Sequence, residues 1–425
     1  MTQNKIQSNF FDAIGVADME KVHSAVIGWM LSDKCEAFDI ATRSELLQQI
    51  FGIEGEYEEF DSIESHIEWK NIDILIVTKK EGFEPKCWVI ENKIKSSQHS
   101  DQLNRYVQIL NCPYLMSSLK YSTYFDSDAE KKEKLRKEWG IKKENNPYWA
   151  VKNKSYCFLT LIDEKPISSG NVIWKSTQYS NLSSYLKFAL RNANRDSKDY
   201  PIIEEYQRCI HELSVAIKDF LDNDNHTRYP NVFTDGYLPK EEKTFKNYEG
   251  RAKYISENGL ETIFQKCFLS HIIPRTKFGK AGVFNAVEIS ETHGTALANF
   301  PFHSEGDIIF GFQFQDGTFK IQVAGVYDKD DLNASDKIKA FLEHWEKHIP
   351  KDQKEPRDEV FNGWKKNESK EGKKAYISIS RIQPRKSKKM HQWFQDSSDD
   401  ICEKWNAVFD DYMKLMKEEI IPRKP

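Results

Sequence analysis

Between Asp18 and Leu31 apolar side chains recur at Met19, Val22, Val26, Trp29 and Met30, the i, i+3, i+7 spacing of a helix with one buried face. Glu20 and His23 lie beside that stripe. Thr42, with Glu45 three residues on, reads as a capping box opening a second helix that runs to Phe51 through Leu46, Leu47 and Ile50. After the acidic stretch from Glu54 to Glu64 the period changes. "NIDILIV" (71–77) and "CWVIENKI" (87–94) are short β-rich runs separated by the turn-forming "KKEGFEPK", and are read as neighbouring strands. Leu103, Tyr106, Val107 and Leu110 then make another helical stripe. The order helix, strand, strand, helix indicates an α/β layer.

Farther along, residues 120–147 form a highly charged surface insertion in which "AEKKEKLRKEWG" is helical and ends at Gly140. "SYCFLTLI" is a further strand, and Ile202 to Leu221 a long amphipathic helix. The polar "DNDNHTRYPN" after it places a domain boundary at 222/223. In the remainder, "DIIFGFQFQDGTFKIQVAGVY" is a hairpin around Asp316-Gly317, flanked by helical patterns at 335–348 and 400–419. The expected organisation is a domain over 1–222 and an α+β domain over 223–425.

Composition removes several alternatives. With 39% hydrophobic and 30% charged residues in 425, the chain has the make-up of a soluble globular protein. Met1 to Phe11 has no apolar core of a signal peptide, and no stretch carries about 18 uninterrupted apolar residues. The seven cysteines are dispersed and never spaced C-x-x-C, so reduced thiols in a cytoplasm are expected and a cysteine-built zinc site is not. A net charge of −4 gives no global attraction to nucleic acid or anionic lipid, so a polyanion would be held by local basic patches.

In "WVIENKI" the period-2 geometry of a strand puts Glu91 and Lys93 on one face and Asn92 on the other. Asp73 interrupts an apolar strand, where a lone carboxylate is costly to desolvate. Pairing of the two strands would bring Asp73 near Glu91, and two adjacent carboxylates raise each other's pKa unless a cation intervenes. Oxygen ligands suit a hard ion such as Mg²⁺, which lowers the pKa of bound water and neutralises charge building on a phosphate. Lys93 would orient or deprotonate the water, or stabilise the transition state. E-x-K alone is common at the solvated end of a strand; selectivity comes from the aspartate before it and the helix after it.

These pieces, with "EKVHSAVIGWML", "SDQLNRY", "FLTLIDEKPIS", "VIWKSTQYSNLSSYL" and "YPIIEEYQRCIHEL", resemble the PD-(D/E)XK nuclease superfamily, and in particular a bacterial branch with an E-N-K signature. The resemblance covers 1–222. It implies a restriction-endonuclease-like mixed central sheet flanked by helices. It further implies metal ligands Asp73 and Glu91, a catalytic Lys93, Glu20 as the helical acid that completes the site, and Gln102 as a supporting polar residue. One departure is Ile72, which stands where the motif has proline.

Other signals compete. His23 reads as a hydrogen-bonded packing residue, and His99 and Tyr106 share a helix face with Gln102. His344 and His348 share a helical face, but Trp345 stands where a metalloprotease needs glutamate. No glycine-rich phosphate loop and no serine nucleophile elbow occur. Between Trp364 and Lys389 ten basic residues, Lys365, Lys366, Lys370, Lys373, Lys374, Arg381, Arg385, Lys386, Lys388 and Lys389, face two acids. That segment is a candidate grip on a phosphate backbone, or equally a solvated strand edge whose lysines discourage pairing. The expectation is a cytoplasmic Mg²⁺-dependent endonuclease (Mn²⁺ substituting), acting on DNA and serving in defence against foreign DNA. Its C-terminal domain would recognise substrate or a protein partner, and a homodimer would cut both strands. RNA cleavage, or a silent module that binds nucleic acid or protein, are the alternatives.

Overall fold

The computed structural model describes residues 9–94, 102–115, 124, 128–139, 146–162, 164–166, 172–234, 250–280, 287–292, 295–305, 308–315, 317–328, 365–371, 374–382 and 390–415. The chain folds as two units, Met1–Ala216 and Ile217–Pro425.

The first unit contains α1 (Phe10–Ala13), α2 (Glu20–Leu31), α3 (Ile40–Ile50), β1 (Ser62–Trp69), β2 (Ile72–Lys79), β3 (Lys86–Lys93), α4 (Gln102–Asn111), α5 (Ala129–Glu138), β4 (Asn153–Thr160), β5 (Trp174–Gln178) and α6 (Tyr179–Asn192), and α7 (Tyr200–Leu221) starts in it and runs across the division into the second. Its sheet has the order β1-β2-β3-β4-β5. The first three strands run antiparallel as a meander, and β3, β4 and β5 are mutually parallel. This mixed sheet flanked by helices is the restriction-endonuclease-like α/β class expected from the sequence.

Strand alternation sorts the sheet into two cores. Leu75, Val77, Cys87 and Val89 pack with Leu103, Tyr106, Ile109 and Leu110 of α4. On the opposite face Trp88 meets Phe51 and Phe60 edge-on, and its indole N–H donates to Thr78 Oγ1. All of β3 from Cys87 to Lys93 is buried, as befits a central strand.

Several local expectations are corrected. In α2 the buried positions are His23, Ser24, Ile27, Gly28, Met30 and Leu31, while Met19 is exposed and Val22, Val26 and Trp29 are only half-buried. The helix turns its polar His23 and Ser24 inward because both find hydrogen-bond partners there. Gly28 permits close contact with β1: a Cβ at that position would lie 2.0 Å from Ile67 Cδ1. The second helix starts at Ile40, because Asp39 accepts the Thr42 N–H and is its N-cap; Thr42 sits inside the first turn. Strands β1 and β5 were not foreseen. β1 is a largely polar edge strand whose alternating Ile63, Ser65, Ile67 and Trp69 were masked by the acidic run before it. Its turn into β2 uses positive φ at Glu68, Lys70 and Asn71.

In the charged insertion α5 is capped by Asp128, which accepts the Lys131 N–H. Gly140 lies outside the described residues.

The second unit is α+β. Its six-stranded sheet has the order β10-β11-β9-β8-β7-β6, antiparallel throughout, from β6 (Glu288–Thr292), β7 (Thr295–Glu305), β8 (Ile308–Gln315), β9 (Thr318–Asp328), β10 (Lys365–Glu371) and β11 (Lys374–Ile382). Gln315 opposite Thr318, with Gly317 at φ +77°, closes the foreseen hairpin. Its described residues also form helices α8 (Pro230–Thr234), α9 (Gly250–Glu257), α10 (Glu261–Ile272), α11 (Met390–Trp393) and α12 (Ser398–Leu415). Its core is aromatic: Phe278 stacks on Phe319, and Trp405 meets Phe314 and Phe319. The helical pattern at 335–348, with His344 and His348, lies outside the described residues. All seven cysteines are buried with free thiols. Among the described residues no helix is long and apolar enough to cross a membrane.

Candidate active site

The Ile74–Ile90 pair is the last of the β2–β3 register toward one end of the sheet, so Asp73 and Glu91 are next in line on adjacent strands. Both belong to the face that meets α4, as does Lys93 two residues on. The Asn92 N–H donates to Asp73 Oδ2 (2.9 Å), fixing the aspartate against β3. Lys93 Nζ lies 2.5 Å from Glu91 Oε1, with both side chains buried. The Tyr106 hydroxyl of α4 stands close to the same carboxylate and accepts from Gln102 Nε2 (3.0 Å).

Glu20, the first residue of α2, reaches the same strand end. Its Oε1 accepts the Ile94 N–H (3.0 Å). The structure therefore brings Glu20, Asp73, Glu91 and Lys93 together, with Gln102 linked to them through Tyr106.

The electrostatics follow from burial. Desolvation, and then the Glu91 charge, push the Asp73 carboxyl up to about 8. Glu91 is also raised by burial, although the Lys93 ammonium opposes the shift. For Lys93 burial alone would lower the pKa, but the charges of Glu91, Glu20 and Asp73 outweigh it and hold the pKa above the ordinary lysine value. Burial and the charges of Glu91 and Asp73 raise Tyr106. The site thus holds more negative than positive charge, an excess that favours the protonated form of Asp73.

A hard divalent cation would relieve it too. Both Glu91 oxygens are buried without a hydrogen bond of good geometry. Among the described residues no three His, Cys, Asp or Glu side chains cluster as a complete metal-holding group. A pair of carboxylates, with waters and substrate phosphate completing the shell, is the donor set Mg²⁺ commonly uses, and Asp73 with Glu91 fits it.

Residues 8–208 match the family model of the PD-(D/E)XK nuclease superfamily. The first unit belongs to that superfamily. No curated protein and no solved structure matches the chain significantly.

In this PD-(D/E)XK domain Asn92 takes the opposite face from Glu91 and Lys93 and His23 is a hydrogen-bonded packing residue, both as expected; what the sequence left unnamed is their partners. Asn92, on the far face of β3, is fully buried: Nδ2 donates to the Glu20 carbonyl and Ser24 Oγ (both 3.0 Å), and Oδ1 accepts the Tyr179 hydroxyl (2.6 Å). His23 is bonded at both nitrogens, Nε2 to the Ala17 carbonyl (2.9 Å) and Nδ1 to the Tyr206 hydroxyl (3.0 Å). The carbonyl can only accept, so Nε2 carries the proton and the ring is neutral; burial lowers its pKa to about 4. The available signal was the strand parity of Asn92, which turns it into the core, together with tyrosines in both downstream helices.

Of the basic segment, Lys365, Lys366 and Lys370 fall on the edge strand β10 and Lys374 and Arg381 on its neighbour β11. Lys373, Arg385, Lys386, Lys388 and Lys389 lie outside the described residues, as does His99.

Proposed function

We propose that this protein is a divalent-cation-dependent endonuclease, with DNA as its substrate and Mg²⁺ as its ion, Mn²⁺ substituting. The observation that carries the reading is the placement of Asp73, Glu91 and Lys93 at one end of two paired strands, in a domain of a nuclease superfamily. Asp73 and Glu91 would hold the ion, which when bound acidifies a water and offsets charge on a phosphate. Lys93 keeps its proton in this field. That favours a role as a fixed cation that stabilises negative charge developing on the scissile phosphate, over one as a base. Glu20 holds the strand end through the Ile94 N–H and adds the negative charge that keeps Lys93 protonated. Gln102 orients the Tyr106 hydroxyl beside Glu91.

The C-terminal unit would recognise substrate or a protein partner, its basic strands β10 and β11 touching phosphates. A homodimer would allow both DNA strands to be cut, and cytoplasmic defence against foreign DNA is the setting that suits such an enzyme. Nicking and linearisation of supercoiled plasmid is the test, with Mg²⁺, Mn²⁺ or EDTA, alongside Lys93→Ala and a single-stranded RNA. Metal-dependent cutting lost in the variant is the expected result. A folded wild type that retards DNA in a gel without cutting it would replace the proposal with a binding module, and cutting of RNA alone would change the substrate.

A further inference from the structure

Glu20 and β3 hold each other by a reciprocal pair of hydrogen bonds. Asn92 Nδ2 donates to the main-chain carbonyl of Glu20, and the main-chain N–H of Ile94 donates to the side chain of Glu20. Lys93 is the residue between Asn92 and Ile94, so the clasp brackets it. Asn92 also binds Asp73 through its own N–H. One residue therefore touches the main chain of the helical acid and the side chain of the strand aspartate.

A buried amide at this position needs a reason. An aliphatic side chain would fill the space between β3 and α2 without the cost of desolvating polar atoms. What an amide adds is direction. The Glu20 carbonyl can only accept, so Nδ2 faces α2, toward Glu20 and Ser24, and Oδ1 faces α6, where it accepts the Tyr179 hydroxyl. Tyr179 is itself fully buried, with its ring edge-on to His23 at 5.4 Å between centroids. His23 is in turn bonded to Tyr206. The amide oxygen is thus backed by three aromatic residues that belong to none of the groups assigned to the chemistry.

We propose that Asn92 is a positioning residue, which grips the Glu20 main chain and so sets the Glu20 carboxylate against the Ile94 N–H at the end of the strand that carries Lys93. The inference rests on the nuclease reading only for its kinetic arm.

Tyr179→Phe is the sharpest probe, since it deletes the hydroxyl bonded to Asn92 Oδ1 and leaves the Glu20 and Ser24 partners of Nδ2 in place; Asn92→Ala is the second variant. Amide hydrogen exchange at Ile94, read by NMR in the full chain, should accelerate about fivefold, the worth of roughly one net hydrogen bond, while Val89 and Leu75 in the paired strands stay unchanged. With plasmid substrate, kcat should fall about fivefold at constant KM, and Tyr179→Phe should cause no further fall in a Glu20→Gln background. Unchanged Ile94 exchange would overturn the proposal. So would uniform acceleration across β2 and β3, or additive kinetic losses, because each marks a merely structural residue. If wild type does not cut but Ile94 responds selectively, the clasp stands and the nuclease reading falls.

Discussion

The ammonium of Lys93 lies 2.5 Å from Glu91 Oε1 in a site closed to solvent on nearly every side. Two opposite charges one residue apart on a strand could have pointed into water. Here the parallel β4 and the overlying α4 bury them, so each depends on the other.

Removing one partner should therefore be costlier than removing both. Lys93→Met leaves an uncompensated buried carboxylate and is expected to lose about 3 kcal/mol in urea unfolding. Adding Glu91→Gln should recover part of that loss. Cleavage should fall at least about 100-fold in either background. Equal stabilities for the single and double variants would show that the pair is not coupled.

Asp73 should lower stability while being required for activity. Its folded pKa is raised from 3.8 to about 8, so the folded state binds the extra proton and stability declines as pH rises through that window. Asp73→Asn keeps an acceptor for the Asn92 N–H and removes the buried charge. In EDTA near pH 7 it should gain on the order of 2 kcal/mol and lose the downward slope, while cleavage is abolished. Added Mg²⁺ should raise the Tm of wild type and leave that of Asp73→Asn unmoved.

The sign is opposite for His23. Its pKa drops from 6.5 unfolded to about 4 folded, so the unfolded chain binds the proton first as pH falls. Its contribution is complete above 6.5, is lost progressively down to about 4, and totals about 3 kcal/mol. His23→Gln cannot take up the proton, so a plot of unfolding free energy against pH should be flatter in the variant across that interval.

Contact between α2 and β1 is tight at Gly28. A methyl group there would lie 2.0 Å from Ile67 Cδ1 and 2.9 Å from Ser65 Oγ. Gly28→Ala gains about 1 kcal/mol in helix propensity and should give back that gain or more through overpacking. Ile67→Val removes the clashing methyl. The combined variant should be more stable than the sum of the two single effects by about 1 kcal/mol, measured as a double-mutant cycle.

By itself the sequence determined the central elements of the first unit and the three residues on which the proposed chemistry turns. Short continuous runs of branched and aromatic residues bounded by turn-forming segments read as buried strands, and within them Asp73, Glu91 and Lys93 are conspicuous because each breaks an apolar pattern at a cost. Hairpin chemistry likewise marked β8 and β9. The tertiary structure alone decided the rest. It turned α2 so that His23 and Ser24 face inward in place of Met19 and Val22, because a polar side chain is admitted to a core once distant partners such as Tyr206 and Asn92 satisfy it. It placed β1 at the sheet edge, where a half-exposed strand carries too few apolar residues to stand out beside an acidic run. It also joined Glu20 to Ile94 and Tyr179 to Asn92 across 74 and 87 residues of chain. Hydrogen bonds at such separations leave no local periodicity, because the chain between their ends is free to follow any path that closes the loop.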